Sequence, residues 1–212
     1  MKSSIPAFAL MGVLLLVPGR NWADAPYDGL RPALKKYLKE HGDLCLGKFD
    51  WPIGVSEFDR QIRTRDAVQM PVLEKMGLVV SSEGSEKRKE GDSEKVVPVT
   101  RYELTEKGKK FYLPKETTYV SADGSKTMRH GDFCAGKLRL DAIAGWDAPK
   151  TVEGQLETTV SYTYKFSAAA WTREPEARNV FPMVDRIIQG EGTMQLQQLF
   201  RLANGRWVAV IP

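Results

Sequence analysis

The octapeptide His41-Gly42-Asp43-Leu44-Cys45-Leu46-Gly47-Lys48 recurs later in the chain as His130-Gly131-Asp132-Phe133-Cys134-Ala135-Gly136-Lys137. Six of the eight positions are identical, and the two copies hold both histidines and both cysteines of the 212-residue chain. Each copy is followed by residues typical of a strand and then by a tryptophan, Trp51 or Trp146. Because glycine tolerates the backbone angles of a tight turn, the pattern predicts a turn that enters a strand, twice, with each cysteine pointing inward.

The first 25 residues have the layout of a secretory signal peptide. Lys2 gives a short positive start, residues 5–17 form an apolar run, and Pro18-Gly19 ends that run. The run has 13 residues, whereas a membrane span needs roughly 20. We expect residues 1–23 to be removed by cleavage after Ala23, with Ala25 as the alternative site and an uncleaved anchor as the alternative interpretation. No cysteine directly follows the run, so we expect no lipid anchor, a periplasmic location and no transmembrane segment in the mature protein.

The composition is that of an ordinary globular protein. The chain is 42% apolar and 27% charged, which excludes a disordered, collagen-like or disulfide-dense chain. Its formal charge is +4, but cleavage after Ala23 removes two basic residues and no acidic one, which leaves +2. A nearly neutral protein gives no chain-wide electrostatic argument for binding nucleic acid.

The cysteine pair admits several interpretations. An exported chain with an even number of cysteines favours a disulfide between Cys45 and Cys134. The residue types His41, Cys45, His130 and Cys134 also fit a zinc site, although the usual Cys-x2-Cys spacing is missing and oxidation would remove the thiolates. A reactive thiol with a histidine base and a pair of free buried thiols are the remaining alternatives. We predict the disulfide, with no metal and no cofactor.

Residues 26–113 are predicted to form a first domain of short helices and a hairpin. The expected elements are a helix capped by Asp28 and ended by Gly42, a helix capped by Ser56, a helix over residues 68–76 stopped by Gly77, and strands at 78–80 and 96–104. A long polar segment separates the two strands.

Two segments of this domain resemble winged-helix domains of the MarR and PadR kind. They are Leu73-Glu74-Lys75-Met76-Gly77-Leu78-Val79 and Tyr102-Glu103-Leu104-Thr105-Glu106-Lys107-Gly108-Lys109-Lys110-Phe111, which are similar to the helix, wing and closing helix of those domains. The resemblance implies a winged-helix fold and, in the cytosolic families, DNA binding.

The residues that would contact DNA depart from that pattern. Pro71 falls inside the expected recognition helix, where proline removes a backbone hydrogen bond, and Lys75 is the helix's only base. The wing tip, residues 83–95, has four basic and five acidic residues, whereas phosphate binding needs a positive surplus. We do not expect nucleic acid as a partner. The remaining candidates for an interaction surface are Arg60, Arg63, Arg65 and Lys75.

The C-terminal half is predicted to be a sheet module, residues 130–212, joined to the first domain by a polar linker at residues 114–129 with a turn at Asp123-Gly124. Residues 155–166 alternate apolar and polar side chains, which predicts an antiparallel strand with one buried and one wet face. Further strands are expected around residues 194–202 and 207–210, separated by a turn at Asn204-Gly205. One or two short helices are expected within residues 171–188.

This half resembles a family of uncharacterised exported proteins and lipoproteins of Gram-negative bacteria. The resemblance is carried by Phe133-Cys134-x-Gly-Lys137, Trp146-Asp-x-Pro149, Tyr162-Thr-Tyr164, Ala170-Trp171 and Phe181-Pro182. It implies the periplasm and a small curved α+β sheet, cystatin-like or NTF2-like, and it brings no known activity.

Motifs for catalysis are missing from the sequence. There is no Gly-rich phosphate loop, His-Glu-x-x-His, nucleophile elbow or EF-hand pattern. Tyr162, Tyr164, Trp171 and Trp207 are candidates for either a pocket lining or the core of a small sheet. The sequence therefore predicts an α+β protein with no catalytic residues, a non-enzymatic periplasmic protein that binds a protein, an envelope component or a small ligand. The alternatives are a membrane-anchored winged-helix regulator that binds DNA and a periplasmic hydrolase.

Overall fold

The computed structural model describes residues 29–90, 93–120 and 124–211. The predicted signal peptide, the predicted cap Asp28 and Asp123 of the predicted turn lie outside these residues. The described chain is a mixed α/β structure with mostly antiparallel sheets, as the predicted α+β class requires. Its helices are α1 (Leu30–His41), α2 (Glu57–Gln61), α3 (Arg65–Lys75), α4 (Glu106–Lys109), α5 (Pro175–Val180) and α6 (Pro182–Gln189), with a 3-10 helix at Ala170–Arg173. Its strands are β1 (Asp43–Cys45), β2 (Ile53–Ser56), β3 (Val79–Glu90), β4 (Ser93–Leu104), β5 (Tyr112–Leu113), β6 (Thr117–Val120), β7 (Lys126–Arg129), β8 (Asp132–Trp146), β9 (Lys150–Val152), β10 (Gln155–Ala168), β11 (Leu196–Ala203) and β12 (Arg206–Ala209).

The largest sheet has seven strands and gathers them from both halves of the chain. Its order is β1-β8-β10-β11-β12, with β5 also paired to β8 and β9 to β10. The strand predicted at residues 155–166 is confirmed as β10, on which Val160, Tyr162 and Tyr164 are buried. The prediction that the other face of this strand is exposed to solvent is wrong at the start of the strand. Glu157 is 9% exposed because its carboxylate pairs with the Arg201 guanidinium 2.6 Å away.

Helix α1 packs on this sheet. Leu30, Leu34 and Leu38 recur at helical spacing, are buried, and contact a cluster that contains Phe200 and Trp207. The helix ends at Gly42, whose N–H donates to the Leu38 carbonyl, as predicted. The apolar stripe read from the sequence is therefore confirmed, and its partner lies more than 120 residues further along the chain.

The smaller sheet is built from the first half. Its order is β2-β4-β3, all antiparallel, and α2 and α3 lie between β2 and β3 in the chain. Ser56 caps α2 as predicted, because its hydroxyl accepts the Asp59 N–H while the Asp59 carboxylate accepts the Ser56 N–H. Gly77 follows α3 at a φ of 68°, which is the left-handed stop that the sequence predicted.

The hairpin and the linker differ from their predictions. Strands β3 and β4 continue in register from Val79↔Leu104 to Glu90↔Ser93, so the polar segment predicted between the strands belongs to them. Residues 84, 86 and 88 of β3 form a half-buried face, on which Arg88 pairs with Asp59 over 2.7 Å. Because this face carries charged residues, the sequence shows no apolar–polar alternation there. Within the predicted linker, β6 and β7 form a second small hairpin.

The Thr105-x-x-Gly108 element holds α4 against the start of the hairpin. The Thr105 hydroxyl donates to the Gly77 carbonyl over 2.8 Å and accepts the Gly108 N–H over 3.1 Å. A Cβ on Gly108 would lie 1.9 Å from the Leu78 carbonyl oxygen. Only glycine permits this approach, which gives a physical reason for the glycine in the Tyr-x-Leu-Thr-x-x-Gly pattern.

One core joins the two halves. Met70, Leu73 and Tyr102 from the first half share a buried cluster with Phe133 and Trp171 from the second. The division into residues 26–113 and 130–212 stays a prediction, and the packing of α1 and of this core crosses the predicted boundary.

Candidate functional site

The two copies of the repeat lie side by side. Strand β1 pairs antiparallel with β8 so that Asp43 is opposite Lys137, Leu44 opposite Gly136, and Cys45 opposite Cys134. The sulfur atoms of the two cysteines are 2.07 Å apart, at disulfide distance. Each copy enters a strand, as predicted, and the cysteine pair predicted to be bonded is brought together. We call this paired region, residues 41–48 and 130–137, the seam.

The contacts across the seam are reciprocal. The Asp43 carboxylate lies 3.1 Å from the Lys137 ammonium, at the Gly-Lys end of the second copy. The Asp132 carboxylate accepts the N–H groups of Gly47 (3.0 Å) and Lys48 (2.7 Å), at the Gly-Lys end of the first copy. The aspartate of each copy therefore binds the Gly-Lys end of the other.

Charges at the seam are unequally buried. Lys48 is 2% exposed and pairs with Asp66, the first acidic residue of α3. Burial lowers the pKa of Lys48, and the Asp66 carboxylate opposes that shift. Burial raises the pKa of Asp132, although the N–H groups of Lys48 and Gly47 stabilise its charged form.

The two histidines lie on the surface at the edges of the seam. His41 stacks on Tyr37 with ring centroids 5.3 Å apart, and His130 Nδ1 lies 3.5 Å from the Glu116 carboxylate. Across residues 29–90, 93–120 and 124–211, no group of three or more His, Cys, Asp or Glu side chains is arranged to hold a metal ion. The zinc alternative built on His41, Cys45, His130 and Cys134 is not supported, because sulfur atoms bonded to each other are not thiolate ligands.

The predicted basic surface is divided. Arg60 donates to Thr100 and lies 3.3 Å from Glu57, Arg63 occupies a turn at a φ of 51°, and Arg65 begins α3. Lys75 ends the same helix, about 15 Å further along at 1.5 Å per residue, where it pairs with Glu176 over 2.5 Å. The structure therefore keeps the three arginines at one end of α3 and Lys75 at the other.

A cleft lies where the end of α3 meets the 3-10 helix and α5. Its volume is about 580 Å³, and its walls are Lys75, Met76, Lys107, Phe111, Ala170, Trp171, Glu174, Pro175 and Glu176. The walls combine an apolar floor with charged side chains at the rim, and they come from both halves of the chain. A second depression near Trp51 and His130 is wider and more open. We call the first of these the junction cleft.

Two residues singled out from the sequence, Lys75 and Trp171, line the junction cleft, and the cleft itself was not predicted. Tyr162, Tyr164 and Trp207, three of the aromatic candidates for a pocket lining, are core residues. The fourth, Trp171, is 4% exposed, packs on Phe133 and Phe181, and also lines the cleft. Met76, Lys107 and Phe111 lie in the two segments that resemble a winged helix, but neither segment predicts a cleft, because it forms only once distant parts of the chain have packed.

Comparison of the chain with protein-family models, with curated proteins and with solved structures found no match. Within the described part of the chain, none of the helices is long and apolar enough to cross a membrane.

Proposed function

We propose that this chain is an exported, non-enzymatic binding protein that takes its ligand in the junction cleft. The observation that carries the proposal is the cleft itself, of about 580 Å³, at the meeting point of the two halves. Ligand sites usually occupy about 300–1,000 Å³, have apolar walls with a few polar groups, and favour domain junctions. Met76, Phe111 and Trp171 supply the apolar wall, and Lys107 stands at the rim.

The carboxylates of the cleft favour binding over catalysis. Glu174 and Glu176 are both exposed at the rim, and Glu176 is engaged by Lys75. A general acid or base is usually tuned by burial, so these two groups offer little support for the hydrolase alternative.

The architecture that would carry this function has two modules. The order β2-α2-α3-β3-β4 and the sheet order β2-β4-β3 support a winged-helix-like module in the first half. The packing of helix α1 on an antiparallel sheet that is formed mainly by the second half supports a cystatin-like or NTF2-like module there.

The packing of α3 argues against the DNA-binding alternative. The Gln69 side chain donates to the Val180 carbonyl over 2.8 Å, and Lys75 pairs with Glu176, so α5 covers part of the helix that would enter a DNA groove. Only Arg65, Pro71 and Lys75 of α3 are exposed. A recognition helix presents several side chains to base edges, and this one has few to present.

Export is supported by the cysteine pair together with the predicted signal peptide, since disulfides persist in oxidising compartments. Mass spectrometry of the protein purified from envelope and cytosolic fractions tests it. We expect a mature chain that begins after residue 23 or 25 and a cysteine pair about 2 Da lighter than two thiols. An intact Met1 with free thiols, combined with retention of DNA in a low-salt shift assay, would replace this proposal with the membrane-anchored regulator.

Ligand binding in the junction cleft is tested by filling it. Ala170 is exposed and lines the cleft, so Ala170→Trp should obstruct it, whereas Ala148→Trp places the same side chain at an exposed position elsewhere. The probe is 1-anilinonaphthalene-8-sulfonate, an aromatic anion suited to an apolar floor with a lysine at the rim. We expect Ala170→Trp to weaken dye binding at least tenfold and Ala148→Trp to leave it within twofold. Equal binding by both variants would exclude the cleft as the site.

A further inference from the structure

A second concave surface runs between α1 and β8. Lys35 and Lys39 line it from the helix, Lys137 and Arg139 line it from the strand, and Leu38 and Leu138 form part of its floor. Its volume is about 380 Å³, and it shares no residue with the junction cleft. We call it the basic groove.

The basic groove concentrates positive charge that the protein does not neutralise. Lys35, Lys39 and Arg139 are exposed, and no acidic side chain of the described ranges lies within 4 Å of their charged atoms. Lys137 pairs with the Asp43 carboxylate and also donates to the Lys39 carbonyl over 2.8 Å, a hydrogen bond that joins the end of α1 to β8. Glu40 is the only acidic residue of α1.

This cluster of positive charges is electrostatically unfavourable in the protein without a ligand. Lys35 and Lys39 are one helical turn apart, and like charges at this spacing repel each other. An anionic partner would relieve the repulsion and release the counterions that the groove holds.

The floor of the groove narrows the choice of anion. Leu138 and Leu140 are half-buried and line the groove together with its cationic residues, whereas Leu38 is buried. A phospholipid headgroup offers phosphate to lysine and arginine and apolar glycerol and acyl carbons to leucine, whereas a nucleic-acid backbone uses the cations alone. From this combination we infer that the basic groove binds the headgroups of an anionic phospholipid surface.

The inference is independent of the ligand of the junction cleft, and its test uses sedimentation with vesicles. The mature chain is mixed with vesicles of phosphatidylglycerol and phosphatidylcholine, or of phosphatidylcholine alone, at low and at high salt. The test variant is Lys35→Gln/Lys39→Gln/Arg139→Gln. The control is Lys89→Gln/Lys126→Gln/Lys150→Gln, which removes the same charge at three exposed lysines outside the groove.

We expect the wild type to bind the phosphatidylglycerol vesicles, weakly at high salt, and not to bind pure phosphatidylcholine. Each basic side chain near an anionic surface contributes about fivefold to the affinity, so the test variant should bind on the order of 100-fold more weakly. The control variant should stay within about threefold of the wild type. Circular dichroism and thermal unfolding confirm that both variants fold.

Three results would overturn the inference. Equal losses in the test and control variants would mean that only net charge matters. Binding of inorganic phosphate or glycerol phosphate in the groove, at matched ionic strength and without vesicle binding, would assign it to a soluble phosphorylated ligand. Tighter retention of a short DNA duplex than of vesicles, lost in the test variant, would assign it to nucleic acid.

Discussion

Removal of the cross-link at the seam should produce a large loss of stability. The variant Cys45→Ala/Cys134→Ala opens a loop whose ends are 89 residues apart in sequence. In the chain-entropy model, closing a loop of this length removes about 15 cal/mol/K from the unfolded chain, or about 4–5 kcal/mol at 25 °C. Both cysteines are only partly buried, so the cavities left by two missing sulfur atoms add less than the lost cross-link.

Thermal unfolding of the mature protein measures this loss directly. For a chain of this size, 1 kcal/mol corresponds to about 2–4 °C in Tm, so we expect a decrease of about 9–18 °C. A reducing agent should lower the Tm of the wild type by a similar amount and leave the Tm of the variant unchanged. A decrease below about 3 °C would refute the reasoning, because it would mean that the seam holds its two strands without constraining the unfolded chain.

Three smaller perturbations, measured by urea unfolding, test the contacts around the seam and the hairpin. Asp132→Asn should lower the free energy of unfolding by about 1–3 kcal/mol because its carboxylate accepts two backbone N–H groups. Asp43→Asn loses only a partly exposed ion pair and should cost less than about 1 kcal/mol. Equal costs would contradict the larger role given to the backbone hydrogen bonds. Gly108→Ala forces a Cβ into the Leu78 carbonyl and should lower the free energy of unfolding by about 1–3 kcal/mol. The control Gly145→Ala places its Cβ in open space and should change it little. An unchanged free energy of unfolding for Gly108→Ala would mean that α4 shifts freely. Since burial lowers the pKa of Lys48, the folded protein binds its proton less tightly than the unfolded chain does, and the contribution of Lys48 to the stability should rise with pH toward about 10.4. Lys48→Met should remove that rise and be no more than about 1 kcal/mol less stable than the wild type at pH 7. A loss above about 2 kcal/mol would show that the buried ammonium stabilises the fold.

Local patterns in the sequence predict local structure here. The alternation in β10, the cap at Ser56 and the left-handed stop at Gly77 each follow from a few neighbouring residues, and the structure contains all three. The turn at Asn204-Gly205 has the same origin, with φ angles of 51° and 74°. Each of these features depends on backbone sterics and on burial of one face, which short sequences encode.

Long-range partners could not be predicted in the same way. The stripe of α1 shows that the helix buries one face, but nothing in residues 30–41 indicates that Trp207 and Phe200 cover it. The walls of the junction cleft come from residues near 75, 107 and 171, and no short pattern connects them. The long ribbon of β3 and β4 was missed for a different reason, since the half-buried face of β3 carries charged residues such as Glu86 and Arg88 and therefore shows no apolar–polar alternation.

The two copies of the octapeptide share six residues and differ at two positions, and the structure gives physical reasons for both. Antiparallel pairing brings the aspartate of each copy to the Gly-Lys end of the other copy and places the two cysteines opposite each other. The two aspartates bind differently there, since Asp43 pairs with the Lys137 ammonium and Asp132 accepts the N–H groups of Gly47 and Lys48. The Asp, Cys, Gly and Lys positions are therefore the ones that meet across the seam. The two positions that differ, Leu44 against Phe133 and Leu46 against Ala135, pack in or against the hydrophobic core. Phe133 and Ala135 are fully buried beside Trp171, where a ring and a methyl group fill the space, whereas Leu44 and Leu46 pack half-buried at the edge of the same core. The Asp, Cys, Gly and Lys identities therefore follow the seam, and the differences follow the packing that each copy completes. The two histidines are exposed and contact Tyr37 and Glu116 instead.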